Sequence, residues 1–398
     1  MKSGCFIPAL ILLLLLGLTT VVAFADTLRV PEDYPTLQEA ADASSPGDII
    51  DLAPGTWYQN VWGLSGVTLK GREGATQTII DGSKWDWSPI VIYGDPCTID
   101  GLTIRNGIGS NIFGIIRGGA IYAEFTSVTI KNCRFENNSL TMGEFDQAAI
   151  GGAVCGFYSP LSFTNCDFLS NTADSGGAIH SEFADQLQIE NCRFRSNTAW
   201  SGGAIHINNT PFTITSSLFY DNLGGAQGGA LNVDAPPQGG PSLTGSVQGC
   251  EFIRNNASEY GYGAGGAISV LGNHDVTASG CSFQDNYGYT GGGIFAGYLA
   301  SGEQPMPVGN SLFCGNYFTD YSYKGVEDDG TNTFTQSCWC SGDIDADEMI
   351  GVNDLLLLLD AWGGYYHPDL DANNDAVFDV NDILAVVEAW GRICNDNS

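Results

Sequence analysis

The chain has 398 residues, with 14 Lys+Arg against 45 Asp+Glu and a formal net charge of −31. That balance argues against nucleic acid or an anionic membrane as partner, since both need a basic face to neutralise phosphate. A hydrophobic share of 43% with 20 Phe, 16 Tyr and 8 Trp excludes a wholly disordered chain, and 53 Gly point to many tight turns rather than long helices.

Lys2 precedes an apolar run from Phe6 to Leu18, and Ala23-Phe24-Ala25 supplies a small-x-small cleavage site. This is the pattern of a secretory signal over residues 1–25, and the mature chain is expected to be secreted, either extracellular or associated with the cell surface. The run is too short for a membrane anchor, which needs about 20 apolar residues. No later stretch is long enough to span a bilayer. Thr36 and Glu39 then read as a capping box opening a short helix that ends at Ser45-Pro46-Gly47. Strands follow near Ile49–Leu52, Val67–Leu69, Thr78–Ile80, Ile90–Ile92 and Leu102–Ile104.

From there the sequence repeats itself. A Gly-Gly-small-apolar box begins at Gly118, Gly151, Gly176, Gly202, Gly228, Gly265 and Gly291, at intervals of 33, 25, 26, 26, 37 and 26. A Phe-x-x-Asn box lies between successive Gly boxes and once after the last, ending at Asn138, Asn171, Asn197, Asn222, Asn255, Asn286 and Asn316. Two residues before each Phe stands Cys133, Cys166, Cys192, Cys250 or Cys281, with Ser217 and Ser311 in the other two units. Runs such as 128–135 and 187–194 alternate apolar and polar residues, as half-buried strands do. One such unit cannot bury its apolar face, but stacked coils can, and each stacked column then wants one chemical type. Phe and Cys are expected inside, with Arg134, Asp167, Arg193 and Glu251 outside. The Asn column is read as a left-handed turn whose side-chain amides stack between coils, and the Gly pair as a second corner.

The Gly-Gly-Ala-Ile and Phe-x-x-Asn pair resembles the repeat of chlamydial polymorphic outer-membrane proteins, and the frame resembles the pectin-lyase-like superfamily. The entry segment over residues 30–60 is similar to that of many such proteins, whose first coil a helix caps. The resemblance implies a mainly β fold, a right-handed parallel β-helix (a single-stranded solenoid), over residues 26–337.

Fold does not carry activity. Gln147-Ala148-Ala149 resembles one pectinesterase box, but the accompanying Asp-Phe-Ile-Phe-Gly and Gly-Arg-Pro-Trp boxes are missing. Basic residues in the coils are too few to single out a lyase base. The remaining cluster follows the Gly boxes. His180 and His206 fall in one outward column on neighbouring coils, and the next outward column holds Glu124, Glu182, Asn208 and Asp234. Imidazoles beside carboxylates suit acid–base chemistry, a metal or sugar hydroxyls, which makes His180, Glu182, His206 and Asp234 the catalytic candidates. The bland alternative is a solvated face on which two histidines arise because the repeat copied itself. Insertions at 139–150, 232–247, 257–264 and 296–309, with Tyr260, Tyr262 and Tyr298, can wall a groove for a polymer or merely pack.

After Cys340 the composition changes: residues 342–398 hold 13 acids and one base, Arg392. The segment around Val352-Asn353-Asp354 returns at Val380-Asn381-Asp382, an offset of 28. Asp343, Asp345, Asp347, Met349 (through its carbonyl) and Asp354 have the spacing of a twelve-residue loop around a hard cation. Asp371, Asn373, Asp375, Val377 (carbonyl), Asp379 and Asp382 repeat it, so two Ca²⁺ sites are expected. Helices at Asn353–Trp362 and Asn381–Trp390 would supply the last carboxylate of each loop. The duplicated loop–helix resembles a type I dockerin over residues 338–398. That implies a cohesin-like partner domain, read through Val352-Asn353 and Val380-Asn381. Glu348 and Ala376 depart from the Gly usual at the sixth loop position. Cysteine usage suits an exported chain, with Cys340–Cys394 and, more weakly, Cys314–Cys338 as pairs, and the coil cysteines in a buried column. Two functions stay open for the β-helix: a carbohydrate-recognising, structural or adhesive element, or a polysaccharide-degrading lyase or glycoside hydrolase.

Overall fold

The structure is a computed structural model. It describes residues 25–143, 146–236, 242–257, 263–297, 305–317, 319–322, 325–335, 344, 350–362, 372 and 379–390. The predicted signal peptide therefore lies outside the described residues, except for Ala25. So do the tyrosines at 260, 262 and 298, both cysteines of the proposed Cys340–Cys394 pair and Cys338 of the Cys314–Cys338 pair.

Three long sheets of 12, 11 and 9 strands run the length of a parallel β-solenoid. Each coil places one short strand in each sheet, as the coil Ile179–Glu182, Leu187–Glu190 and Arg193–Arg195 does. Equivalent strands pair in register from coil to coil: Leu161↔Leu187↔Phe212 and Phe168↔Phe194↔Phe219 are examples. Helix α1 (Leu37–Ala43) packs on the first strands, with Thr36 Oγ1 accepting from Glu39 N–H at 3.1 Å and Leu37 and Ala40 buried. It covers apolar groups of the first coil among the described residues. The strands expected at the N-terminal end appear within a residue or two of their predicted bounds.

The repeat columns explain the stack. Phe135, Phe168, Phe194, Phe219, Phe252, Phe283 and Phe313 form one buried file of rings, with neighbouring centroids 4.6–5.1 Å apart and planes within 12° of parallel. Such a contact adds about 0.5–1.5 kcal/mol beyond area burial. Beside it, Cys133, Cys166, Cys192, Cys250 and Cys281 are buried free thiols, and each Sγ points at a main-chain carbonyl two residues back. Ser217 and Ser311 make the same contact with their hydroxyls, which is why serine substitutes there. Burial pushes the Cys133 thiol up to about 12, so it packs as a neutral thiol.

The two glycines of each box serve different ends. Gly176 has φ +64, a left-handed corner, whereas a Cβ on Gly177 would lie 2.1 Å from the carbonyl oxygen of Gly203 on the next coil. The asparagine column corrects the sequence reading. The left-handed residue is the one before it (Asn137, Ser170, Ser196, Asp221, Arg254, Asp285), and the asparagines are fully buried, apart from Asn316 at the end. Asn197 shows what they do. Its Oδ1 accepts from the N–H and the Nδ2 of Asn171, both at 3.0 Å, and its Nδ2 donates to Phe168 O and to Asn222 Oδ1, both at 3.0 Å. All four bonds of a primary amide are thus made between coils, and the amides stack as expected.

At the C-terminal end, α2 (Val352–Asp360) and α3 (Val380–Glu388) pack on each other around Leu358, Val386, Ile350 and Ala372. Among the described residues no helix is long and apolar enough to cross a membrane.

Candidate functional site

The nine-stranded sheet brings the sequence candidates together. Its strands Val154–Phe157, Ile179–Glu182, Ile205–Asn208 and Leu231–Asp234 place Cys155, His180, His206 and Asn232 in one outward column, and Phe157, Glu182, Asn208 and Asp234 in the next. The imidazole centroids of His180 and His206 are 5.0 Å apart. Glu124 belongs to the second column but is separated from Glu182 by Phe157, so it stands apart from the histidines.

The first column is not solvated. His180 is 5% and His206 8% exposed. A second layer lies over this face: Ile115–Arg117 and Ala148–Ile150 form a small sheet, Thr198–Ser201 and Leu223–Gln227 another, and Ile150 packs with Tyr122 and Cys155. The last residue before each Gly box sits in this layer, and Ile150, Ser175, Ser201 and Gln227 are in register. Part of the layer comes from the 139–150 insertion, which therefore covers the sheet near the histidines.

That layer supplies a residue the sequence reading missed. Ser175 Oγ hydrogen-bonds His206 Nδ1, and His206 Nε2 lies 2.9 Å from Asp234 Oδ2. Asn232 Nδ2 holds the other oxygen of Asp234 at 3.2 Å. Burial works against ionisation of Asp234, yet the His206 hydrogen bond and charge keep its carboxyl below the usual range. An ionised Asp234 accepts from Nε2–H, and in the tautomer with its proton on Nε2 the His206 ring presents the Nδ1 lone pair to the Ser175 hydroxyl. Ser175, His206 and Asp234 come from three consecutive coils. The available signal was positional: each residue preceding a Gly box lies over the sheet.

His180 differs. Ile150 precedes its neighbouring box, and neither ring nitrogen has a hydrogen-bond partner among the described residues. The Glu182 carboxylate is 3.8 Å from its Nε2. Burial lowers the His180 pKa, so the ring is neutral at pH 7, while the His180 contact holds Glu182 below the usual carboxylate range. Asn208 Nδ2 donates to Glu182 Oε1 at 3.0 Å, and Asn209 to Asn208 at 2.8 Å. Among the described residues no three His, Cys, Asp or Glu side chains are grouped to hold a metal ion.

Along the corner that follows the second column, Phe125, Tyr158 and Phe183 stand one per coil, with centroids 5.2 and 5.4 Å apart. Phe125 is 65% exposed and the other two are also exposed. All three hold φ near +50°, which bulky side chains rarely adopt.

In the C-terminal segment only Asp354, Asp379 and Asp382 of the expected calcium ligands are described; Asp343, Asp345, Asp347, Met349, Asp371, Asn373, Asp375 and Val377 lie outside the described residues. Asp354 and Asp382 are buried at equivalent places. Asp354 Oδ2 accepts from Gly351 N–H at 2.6 Å, and Asp382 Oδ2 from Asp379 N–H at 2.7 Å. Asp379 Oδ1 accepts from Asn381 N–H at 2.7 Å.

A family model described as a right-handed β-helix region matches residues 65–234. The solenoid is a right-handed parallel β-helix. No curated protein matches the chain in sequence. Similar solved structures include the catalytic domain of a GH87 α-1,3-glucanase in complex with nigerose, 12% identical with a TM-score of 0.48, covering 79% of this chain and 64% of that one. An alginate lyase in complex with G6 is 14% identical with a TM-score of 0.43, covering 78% and 63%. A pectin methylesterase from Aspergillus niger is 13% identical with a TM-score of 0.33, covering 81% and 92%. The chain thus spans under two thirds of the glucanase and lyase chains it matches.

Proposed function

We propose that this chain is an exported β-helix protein that binds polysaccharide along the corner of its nine-stranded sheet. In this reading a calcium-loaded dockerin-like module carries it on a cohesin-type partner. The observation that carries the first part is the line of Glu182, Asn208 and Asp234, one per coil, which continues on from the exposed rings of Phe125, Tyr158 and Phe183 and shares the coil of Glu182 with Phe183. Carboxylates and amides bond sugar hydroxyls, aromatic rings take the apolar C–H faces, and a linear array at the ~4.8 Å coil spacing suits a linear polymer. The tether rests on the duplicated spacing and on the paired, buried carboxylates of Asp354 and Asp382, a donor set that fits a hard cation. Ca²⁺ would neutralise part of that charge and draw the loop oxygens together.

Retention on insoluble and immobilised polysaccharides tests the first part. Wild type should be retained, and the triple variant Phe125→Ser, Tyr158→Ser, Phe183→Ser should lose retention while keeping its far-UV spectrum. Equal retention of the two would overturn the reading.

A further inference from the structure

The outward face of the nine-stranded sheet holds three registered columns: the residues before the Gly boxes (Ile150, Ser175, Ser201), the first outward column (His180, His206, Asn232) and the second (Asn208, Asp234, Leu271). A diagonal across three coils takes one residue from each. The diagonals read Ile150–His180–Asn208, Ser175–His206–Asp234 and Ser201–Asn232–Leu271. The middle one alone of these three carries a hydroxyl, an imidazole and a carboxylate, and in it the hydrogen bonds run unbroken from Oγ through the ring to the carboxylate. Copying of a repeat explains two histidines in a column. It does not explain a serine and an aspartate placed on the two sides of one of them.

We propose that Ser175, His206 and Asp234 form a nucleophile, general base and orienting carboxylate that hydrolyse carboxylic esters borne by a polysaccharide lying on this face. The ester chemistry stands on this geometry alone; the polymeric carrier rests on the function proposed above.

His206 Nδ1 takes the proton of Ser175 as Oγ forms a bond to the acyl carbon. The protonated ring, held by Asp234, then returns that proton to the sugar oxygen as the acyl C–O bond breaks. Water attacks the acyl-serine with His206 again as base, releasing the carboxylic acid and restoring the serine hydroxyl. Ester and water give acid and alcohol, and no other reactant is consumed. Ser175 is half-buried and the Asp234 side chain 39% exposed, so the relay lies at the edge of the covering layer and not beneath it. Two donors without partners flank it. His180 stands beside His206 with an unbonded ring N–H, and the buried hydroxyl of Ser201 lies in register with Ser175. Both are groups that an acyl oxyanion would satisfy.

The test uses the full chain, a fluorophosphonate probe and p-nitrophenyl acetate. Each substitution borrows a residue that another coil already carries in that column: Ser175→Ala (as Ala264, three coils on), His206→Asn (as Asn232) and Asp234→Asn (as Asn208). Wild type should acquire one phosphonyl group on the peptide containing Ser175 and turn the ester over. Ser175→Ala should abolish labelling, and Ser175→Ala and His206→Asn should each lower turnover at least about a hundredfold, with melting unchanged. Asp234→Asn should lose turnover while keeping some labelling. Absence of a Ser175 adduct in folded wild type, or equal turnover in Ser175→Ala, overturns the proposal. Ester turnover without polymer retention would instead overturn the polysaccharide reading and leave the relay standing.

Discussion

The asparagine file gives the sharpest quantitative expectation. Replacing Asn197 by Ala removes four hydrogen bonds between coils and strands the Asn171 N–H and the Phe168 carbonyl in a fully buried place. At about 1 kcal/mol for each bond, Asn197→Ala should destabilise the β-helix by about 4 kcal/mol. Asn316 ends the file and is only half-buried, so Asn316→Ala should cost less. Asn197→Asp is more diagnostic, because it keeps the shape while turning the Nδ2 that faces two oxygens into a third oxygen. Burial beside acceptors raises an acid's folded pKa above its unfolded value of about 4. That stability is fully present below pH 4 and is lost as pH rises through the folded pKa. Urea unfolding followed by far-UV circular dichroism at several pH values reads both effects. An Asn197→Ala protein within about 1 kcal/mol of wild type would refute the reasoning, as would an Asn197→Asp protein whose stability holds as pH rises.

Gly177→Ala should disrupt the stack, since its Cβ would meet the Gly203 carbonyl at 2.1 Å. Gly249→Ala, with φ +57 and open space around it, should cost only about 1–2 kcal/mol, and thermal melts of the two separate packing from backbone strain. Wild-type stability should fall on acidification. His180 has a lowered pKa and is buried neutral, so its contribution fades as pH drops below about 6.5; the lowered pKa values of Glu182 and Asp234 make theirs disappear as pH falls through the folded carboxyl range. His180→Asn should remove the upper part of that profile in urea titrations. Chelation by EDTA, or Asp382→Ala, should unfold the C-terminal helices and leave the β-helix spectrum unchanged; helix resonances of α2 and α3 that are indifferent to Ca²⁺ would count against the metal.

Much of the solenoid can be read from the sequence because its interior columns tolerate one residue type each. Phe194 needs a ring above and below it, Asn197 needs an amide on either side, and Gly177 needs the absence of a Cβ. Such demands print the same letter at every turn. The outward face makes no such demand. The His180 and His206 column was visible by counting two residues within a strand, but its burial was not, because the strands covering it come from the stretch before each Gly box. Ser175 was missed for the same reason. Its partner is 31 residues away, a separation that means something only when the segment before one box is known to lie over the strand of the next coil. The left-handed corner was displaced by one residue because Ser196 and Asn197 are both turn-forming types, and sequence alone does not say which points inward.

Repetition and function pull a solenoid in opposite directions, and the three columns on the nine-stranded sheet show where repetition has relaxed. A stack is stabilised when each coil repeats its neighbour, so selection for stability makes uniform columns, as in the phenylalanine and asparagine files. A reacting centre needs different groups side by side, and with about 4.8 Å between coils, neighbours in a column are already near contact distance. The economical way to assemble unlike groups is therefore to let successive coils diverge in adjacent columns on one outward face, leaving the interior untouched. Ile150, Ser175 and Ser201 diverge, as do Cys155, His180, His206 and Asn232, and as do Phe157, Glu182, Asn208 and Asp234, while the inward Phe168, Phe194, Phe219 and Phe252 of the eleven-stranded sheet do not. The outward columns vary along the whole sheet, from Val91 and Tyr122 to Ser269 and Phe295. Around His206 that variation sets a hydroxyl, an imidazole and a carboxylate side by side, where the proposed hydrolysis would lie and where variation costs the stack little.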